Sequence, residues 1–156
     1  MSRKKSNVDL WLSKITPEQK RALDNAAKIF GEDDLYNVHT LESLYGQESS
    51  FGRYMRHRGM DGAAGHFHQE KETALGMGLS VTKTNDQRFN VNLAAKVEAR
   101  IVKELDGIFK EGKNLGHGIT AIPVKNDLER KDFVIAAVNG GQGRNTKDRR
   151  HICIER

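Results

Sequence analysis

Residues 41–52 read Leu41-Glu42-Ser43-Leu44-Tyr45-Gly46-Gln47-Glu48-Ser49-Ser50-Phe51-Gly52. Leu41, Leu44 and Glu48 stand at i, i+3 and i+7, so a helix here puts all three on one face. The spacing predicts a helix from about Leu35 to Gln47. Glu48 then continues the apolar side of that helix at its end. A carboxylate so placed is partly desolvated, which raises its pKa. Residues 52–69 follow with Gly52, Gly59, Gly62 and Gly65 and no helical period. That pattern reads as a long loop, and long loops in compact domains are usually functional. A carboxylate at a helix end facing a Gly-rich loop suits proton transfer in a cleft.

The flanking sequence extends the helical reading. Thr16-Pro17-Glu18-Gln19 is a helix start: Thr16 caps, Pro17 fits the first helical position and Gln19 closes a capping box. Leu23, Ala26, Ala27 and Phe30 form its apolar stripe, and Gly31 is expected to end it. Leu10, Trp11, Leu12 and Ile15 are expected to pack against it. A short helix is expected over Glu72 to Leu79, broken by Gly76 and Gly78. Asn90 caps a long helix to about Lys110, with Leu93, Ala94, Val97, Ile101, Leu105 and Ile108 on one face. Gly112 to Val124 reads as a connecting loop. The last helix, Asp127 to Asn139, contains Phe133-Val134-Ile135-Ala136-Ala137-Val138 and reads as the central buried helix, ended by Gly140-Gly141. The fold class is therefore mainly all-α, with room for a small β-hairpin or flap in the loops. The expected organisation is an extension over residues 1–15, a single helical domain over 16–145 and a basic tail over 146–156.

Bulk composition narrows the function classes. A chain of 156 residues with 37% hydrophobic and 30% charged residues makes one domain with a real core. Its net charge of +5 favours acidic partners, whether nucleic acid, anionic membrane or an anionic wall polymer. Nucleic acid ranks low, because the basic residues form no stripe on any expected helix and aromatics are only 6%. No run is long and apolar enough for stable membrane insertion. Ser2-Arg3-Lys4-Lys5 leads into Asn7-Val8-Asp9, which is not a secretory signal. Cys153 is the single cysteine, so an internal disulfide is excluded, and it reads as structural or incidental. His66 and His68, with His57, fix no third ligand by spacing, so no metal and no cofactor is expected.

Three blocks carry a family likeness. They are Glu48-Ser49-Ser50-Phe51; Gly62-Ala63-Ala64-Gly65-His66-Phe67-His68 with Thr73-Ala74 beyond it; and Ala136-Ala137-Val138-Asn139-Gly140-Gly141-Gln142-Gly143-Arg144. In order and spacing they resemble the soluble lytic transglycosylase and goose-type lysozyme superfamily. The resemblance implies a lysozyme-like helical domain that cleaves the bond between N-acetylmuramic acid and N-acetylglucosamine in peptidoglycan glycan strands. It puts Glu48 at the catalytic position, as acid toward the departing oxygen and then as base on the C6 hydroxyl, closing a 1,6-anhydro ring. It implies substrate binding by Ser49, Ser50, Gly65, Phe67, His68 and Asn139. Arg53, with Arg56, His57 and Arg58, is a candidate for the lactyl or stem-peptide carboxylates.

The sequence departs from the family at three positions. His68 replaces its Gln, Phe67 its Met, and Val138 the Tyr whose hydroxyl helps position the catalytic Glu. His68 or His66 could supply the missing polar contact. A hydrolytic, goose-type scheme would use Asp61 or Glu70 as second carboxylate. The bland readings are a turn residue for Asp61 and a helix-start acid for Glu70. A non-catalytic peptidoglycan-binding relative is the other alternative. With no export signal, such an enzyme is expected to reach the periplasm or cell wall by a phage particle or secretion system. An inhibitor or immunity protein is a further candidate partner.

Overall fold

The computed structural model describes residues 7–141. Six α-helices, one 3₁₀ turn and one two-stranded hairpin make up the described residues. The order is α1 (Asn7–Leu12), α2 (Pro17–Ala27), α3 (Val38–Ser49), α4 (Lys71–Gly76), the 3₁₀ turn Gln87–Phe89, α5 (Val91–Glu111), β1 (Lys113–Gly116), β2 (Ile119–Ala121) and α6 (Asp127–Gly141). No helix among the described residues is long and apolar enough to cross a membrane. The expected tail, Gln142-Gly143-Arg144 and Cys153 lie outside the described residues.

Caps set the helix starts. The Thr16 hydroxyl accepts from the Gln19 amide at 3.2 Å, and the Gln19 side chain accepts from the Thr16 amide at 3.0 Å. These bonds satisfy donors the first turn would leave orphaned. α2 stops at Ala27, short of Gly31, and Phe30 lies beyond the helix, packed against the core. α3 begins three residues later than its apolar spacing suggested, because Asn37 and Thr40 form a second capping box. In α5 the Asn90 side chain accepts from the Leu93 amide at 3.1 Å, the start the sequence predicts.

α5 is the central helix. α2 and α6 pack on it, and α3 packs against α2 and reaches α5. It buries Val91, Ala94, Ala95, Val97, Ala99, Ile101, Val102 and Phe109. α6 takes an outer place, contrary to expectation. Val134 and Val138 are buried, but Ala136 is exposed and Phe133, Ile135 and Ala137 are only half-buried. A further inward position of α6 belongs to Arg130, which donates to Asp106 on α5 at 3.0 Å and to Asp127 at 2.8 Å. Tyr36 donates to the same Asp106 carboxylate at 2.9 Å. Leu10 and Leu12 of α1 stay exposed, so they do not pack as expected. Within the expected loop 112–124, Lys113 pairs with Ala121 in an antiparallel hairpin.

The loop between α3 and α4 is fixed from behind by Arg88, which is fully buried. Its Nε donates to Asp86 Oδ1 at 3.0 Å, and Nη2 to Asp86 Oδ2 at 2.8 Å. Nη1 donates to the Gly62 and Gln69 carbonyls at 2.7 and 3.0 Å, and Nη2 also to the Met60 carbonyl at 2.9 Å. All five guanidinium N–H groups are thereby used. Asp86 accepts the Gly59 amide as well, at 2.8 Å. Burial alone would raise the Asp86 carboxyl, but the Arg88 fork and the backbone amides outweigh it and hold it below its ordinary value.

Gly65 lets the loop lie flat on this anchor. Its φ is +83°, and a Cβ there would sit 2.2 Å from the Arg88 carbonyl oxygen. Gly65→Ala is expected to cost about 2–4 kcal/mol. Gly62→Ala, where no heavy atom lies within 4 Å of the new Cβ, is expected to be nearly neutral. Urea denaturation of both variants checks the contrast.

Candidate active site

Glu48 sits in the last turn of α3 with its side chain 13% exposed. Burial pushes its carboxyl up to about 8, and the negative charge of Glu98 on α5 adds to the rise. Desolvation disfavours the anion because a carboxylate loses its water without gaining an equal partner. Glu98 is itself fully buried. It accepts from Gln69 Nε2 at 3.0 Å, and the same amide donates to the Ala94 carbonyl at 3.0 Å. Glu98 shares the inward stripe of α5 with Ala94 and Ile101, at i+4 and i+7 from Ala94, a signal the sequence held and the apolar pattern hid.

His68 is the polar group that faces Glu48. Its Nδ1 lies 3.9 Å from Glu48 Oε2, with the side chain 17% exposed. Its Nε2 donates to the Tyr54 carbonyl. A carbonyl only accepts, so that bond keeps the proton of the neutral ring on Nε2 and leaves the Nδ1 lone pair toward Glu48. The His68 backbone is left-handed, with φ +45°, a conformation that costs a non-glycine residue roughly 1–3 kcal/mol. The Arg88 bond to the neighbouring Gln69 carbonyl helps hold it there.

His66 turns the other way. Nδ1 accepts from the Tyr45 hydroxyl at 2.7 Å and Nε2 donates to the Phe89 carbonyl at 3.1 Å. Burial holds its pKa below the ordinary histidine value. Both ring nitrogens are engaged, so His66 is a support and not the missing contact to Glu48. The Ser49 hydroxyl donates to the His66 carbonyl and accepts from the Gly52 amide at 2.9 Å, tying the end of α3 to the loop.

The remaining candidates fall in different places. Ser50 is the left-handed cap of α3, with φ +50°. Phe67 is fully buried and stacks on Tyr45 with centroids 4.9 Å apart, so it lies in the core and offers no face to a ligand. Asn139 Nδ2 donates to Gln47 Oε1 at 3.1 Å, joining α6 to α3, and its Oδ1 is buried with no hydrogen-bond partner among the described residues. Asp61 is 94% exposed and pairs with Lys71 at 2.8 Å. That lysine holds the Asp61 carboxyl below its ordinary value. Glu70 is the cap residue of α4, with no side-chain capping bond. Arg53, Arg56, His57 and Arg58 are exposed, and Arg58 lies over the Phe89 ring at 5.0 Å.

Two cavities border α3 elsewhere. One of about 590 Å³ is lined by Leu12, His39, Glu42, Ser43, Gly46, Gln47 and Phe51. The other, about 330 Å³, shares His39, Ser43 and Gln47 and reaches Lys131 and Ile135. Glu48 lines neither, and its side chain keeps only a small exposed fraction beside His68. Among the described residues no group of His, Cys, Asp and Glu is arranged to hold a metal ion. No family model, curated protein or solved structure matches the chain.

The raised Glu48 carboxyl has a sign in pH. Its contribution to stability is complete below the ordinary value of 4.5 and is lost as pH rises toward about 8. Glu48→Gln removes the charge that must be buried at high pH. The variant is expected to match the wild type near pH 4.5 and to exceed it by an amount on the order of 3–5 kcal/mol above pH 8. Denaturant melts across that pH range check it.

Proposed function

We propose that this protein cleaves the β1,4 bond between N-acetylmuramic acid and N-acetylglucosamine in peptidoglycan, as a lytic transglycosylase of lysozyme-like kind. The observation that carries this reading is the largely buried carboxyl of Glu48 at the end of α3, beside the Gly-rich loop, which burial pushes up to about 8. A general acid must hold its proton at working pH, and a carboxyl raised to about 8 does so at neutrality. The ordered sequence blocks around Glu48, Gly65 and Asn139 supply the family context.

The transglycosylase form is favoured over the two-carboxylate hydrolase. Asp61 is in solvent and paired to Lys71, and a glycosidase's second carboxylate must instead flank the scissile bond. The helical fold and the basic loop of Arg53, Arg56 and Arg58 are compatible with an anionic glycan strand. Val138 is buried and has no hydroxyl to offer Glu48, which supports the binding-only relative as the second reading.

Digestion of purified sacculi followed by mass spectrometry separates these readings. The wild type is expected to release 1,6-anhydro-muropeptides, and Glu48→Gln to release them at least ~100-fold more slowly. Reducing-end products would indicate a hydrolase. Sacculus binding without any soluble product would indicate the binding-only relative.

A further inference from the structure

We propose that His68 is a second catalytic residue, the base that takes the C6 hydroxyl proton while Glu48 acts as acid alone. This rests on the transglycosylase reading above. Its ground is the placement of one imidazole nitrogen beside a carboxyl: Nδ1 lies 3.9 Å from Glu48 Oε2, and Nε2 is committed to the Tyr54 carbonyl.

His66, Asp61 and Glu98 do not compete for the role. His66 has both nitrogens engaged, by Tyr45 and Phe89. Asp61 is bound by Lys71 at the surface. Glu98 is fully buried on α5, and its charge reaches Glu48 through the interior. On the loop side, Arg53 and Arg56 are exposed. Glu48 and His68 each keep a small exposed edge, so both can touch a glycan laid across the end of α3.

The proton account closes. As the C1–O4 bond breaks, its electron pair leaves on O4, which takes the Glu48 proton. The acetamido carbonyl oxygen of the same sugar bonds to C1 from the opposite face. The C6 oxygen then bonds to C1, the acetamido oxygen departs with its electron pair, and the C6 proton passes to His68 Nδ1. Glu48 is left as anion and His68 as cation. A proton moving from Nδ1 to the Glu48 carboxylate restores both. The 3.9 Å gap is longer than a hydrogen bond, and an approach of about 1 Å by the Glu48 side chain, or one bridging water, closes it. A glutamine at this position could orient Glu48 but could not accept and return the proton.

The test has two arms. Rates of anhydro-muropeptide release are measured against pH for wild type and His68→Gln. The wild type is expected to be bell-shaped, with its alkaline limb from Glu48. His68→Gln is expected to fall ~100-fold in kcat with little change in KM and to lose the acid limb. A rate within about threefold of wild type with both limbs intact would overturn the proposal. The second arm is ¹⁵N-histidine NMR of the whole chain, which needs no activity. It is expected to show His68 protonated on Nε2 at the pH of greatest activity, or at pH 7 if no product forms, with an Nδ1 resonance that moves in Glu48→Gln. An Nδ1-protonated ring, or an Nδ1 resonance indifferent to Glu48→Gln, would overturn it. If no wall product forms yet the resonances couple, the substrate assignment fails and the proton pair stands.

Discussion

The site depends on the burial of Arg88. A guanidinium without water must satisfy every N–H, and this one does so with one carboxylate and three carbonyls drawn from a single loop. Removing either partner of such a pair strands a charge, at a cost of about 3–5 kcal/mol. The loop therefore has little freedom between Gly59 and Gln69. His66 and His68 inherit that rigidity, one turned inward to Tyr45 and the other outward to Glu48. Preorganisation of this kind gives both imidazoles fixed directions.

Two opposed requirements meet at Glu48. Burial favours the neutral acid, while the neighbouring imidazole favours the anion once it is charged. The first prevails at neutrality, since the carboxyl is pushed up to about 8 by burial and then by Glu98. Glu98 is kept in the interior by Gln69 and by the backbone on which Gln69 hangs, so the acid's environment is set by α5 as much as by α3. The exposed arginines of the 53–58 segment stand in solvent, where screening weakens their pull on the buried group.

Much of the scaffold was legible from local chemistry. Thr16 with Gln19 and Asn90 with Leu93 are capping contacts written into short spacings, and both form. The Leu41, Leu44, Glu48 stripe likewise depends only on helical period. The order of packing was not legible. The run from Phe133 to Val138 is apolar, yet in α6 its residues spread round the helix, leaving Ala136 exposed. α5 is longer, and its small residues Ala94, Ala95 and Ala99 let neighbours approach closely. Nor could Arg88, Asp86 or Gln69 be picked out as buried. Their burial depends on partners distant in sequence, and a charged residue read alone defaults to the surface. His68 could be suspected from its place in the motif, whereas its free nitrogen depends on the Tyr54 carbonyl fourteen residues upstream.

The left-handed cap at Ser50 also bears on the proton. It stops α3 two residues after Glu48, so the carboxyl lies in the final turn, where peptide carbonyls accumulate partial negative charge. A dipole end of that sign repels an anion by about 0.3–1 kcal/mol. One further turn of helix would carry that repulsion away from the acid and leave it easier to ionise. The length of a single helix is thus itself a setting on the acidity of the group it carries.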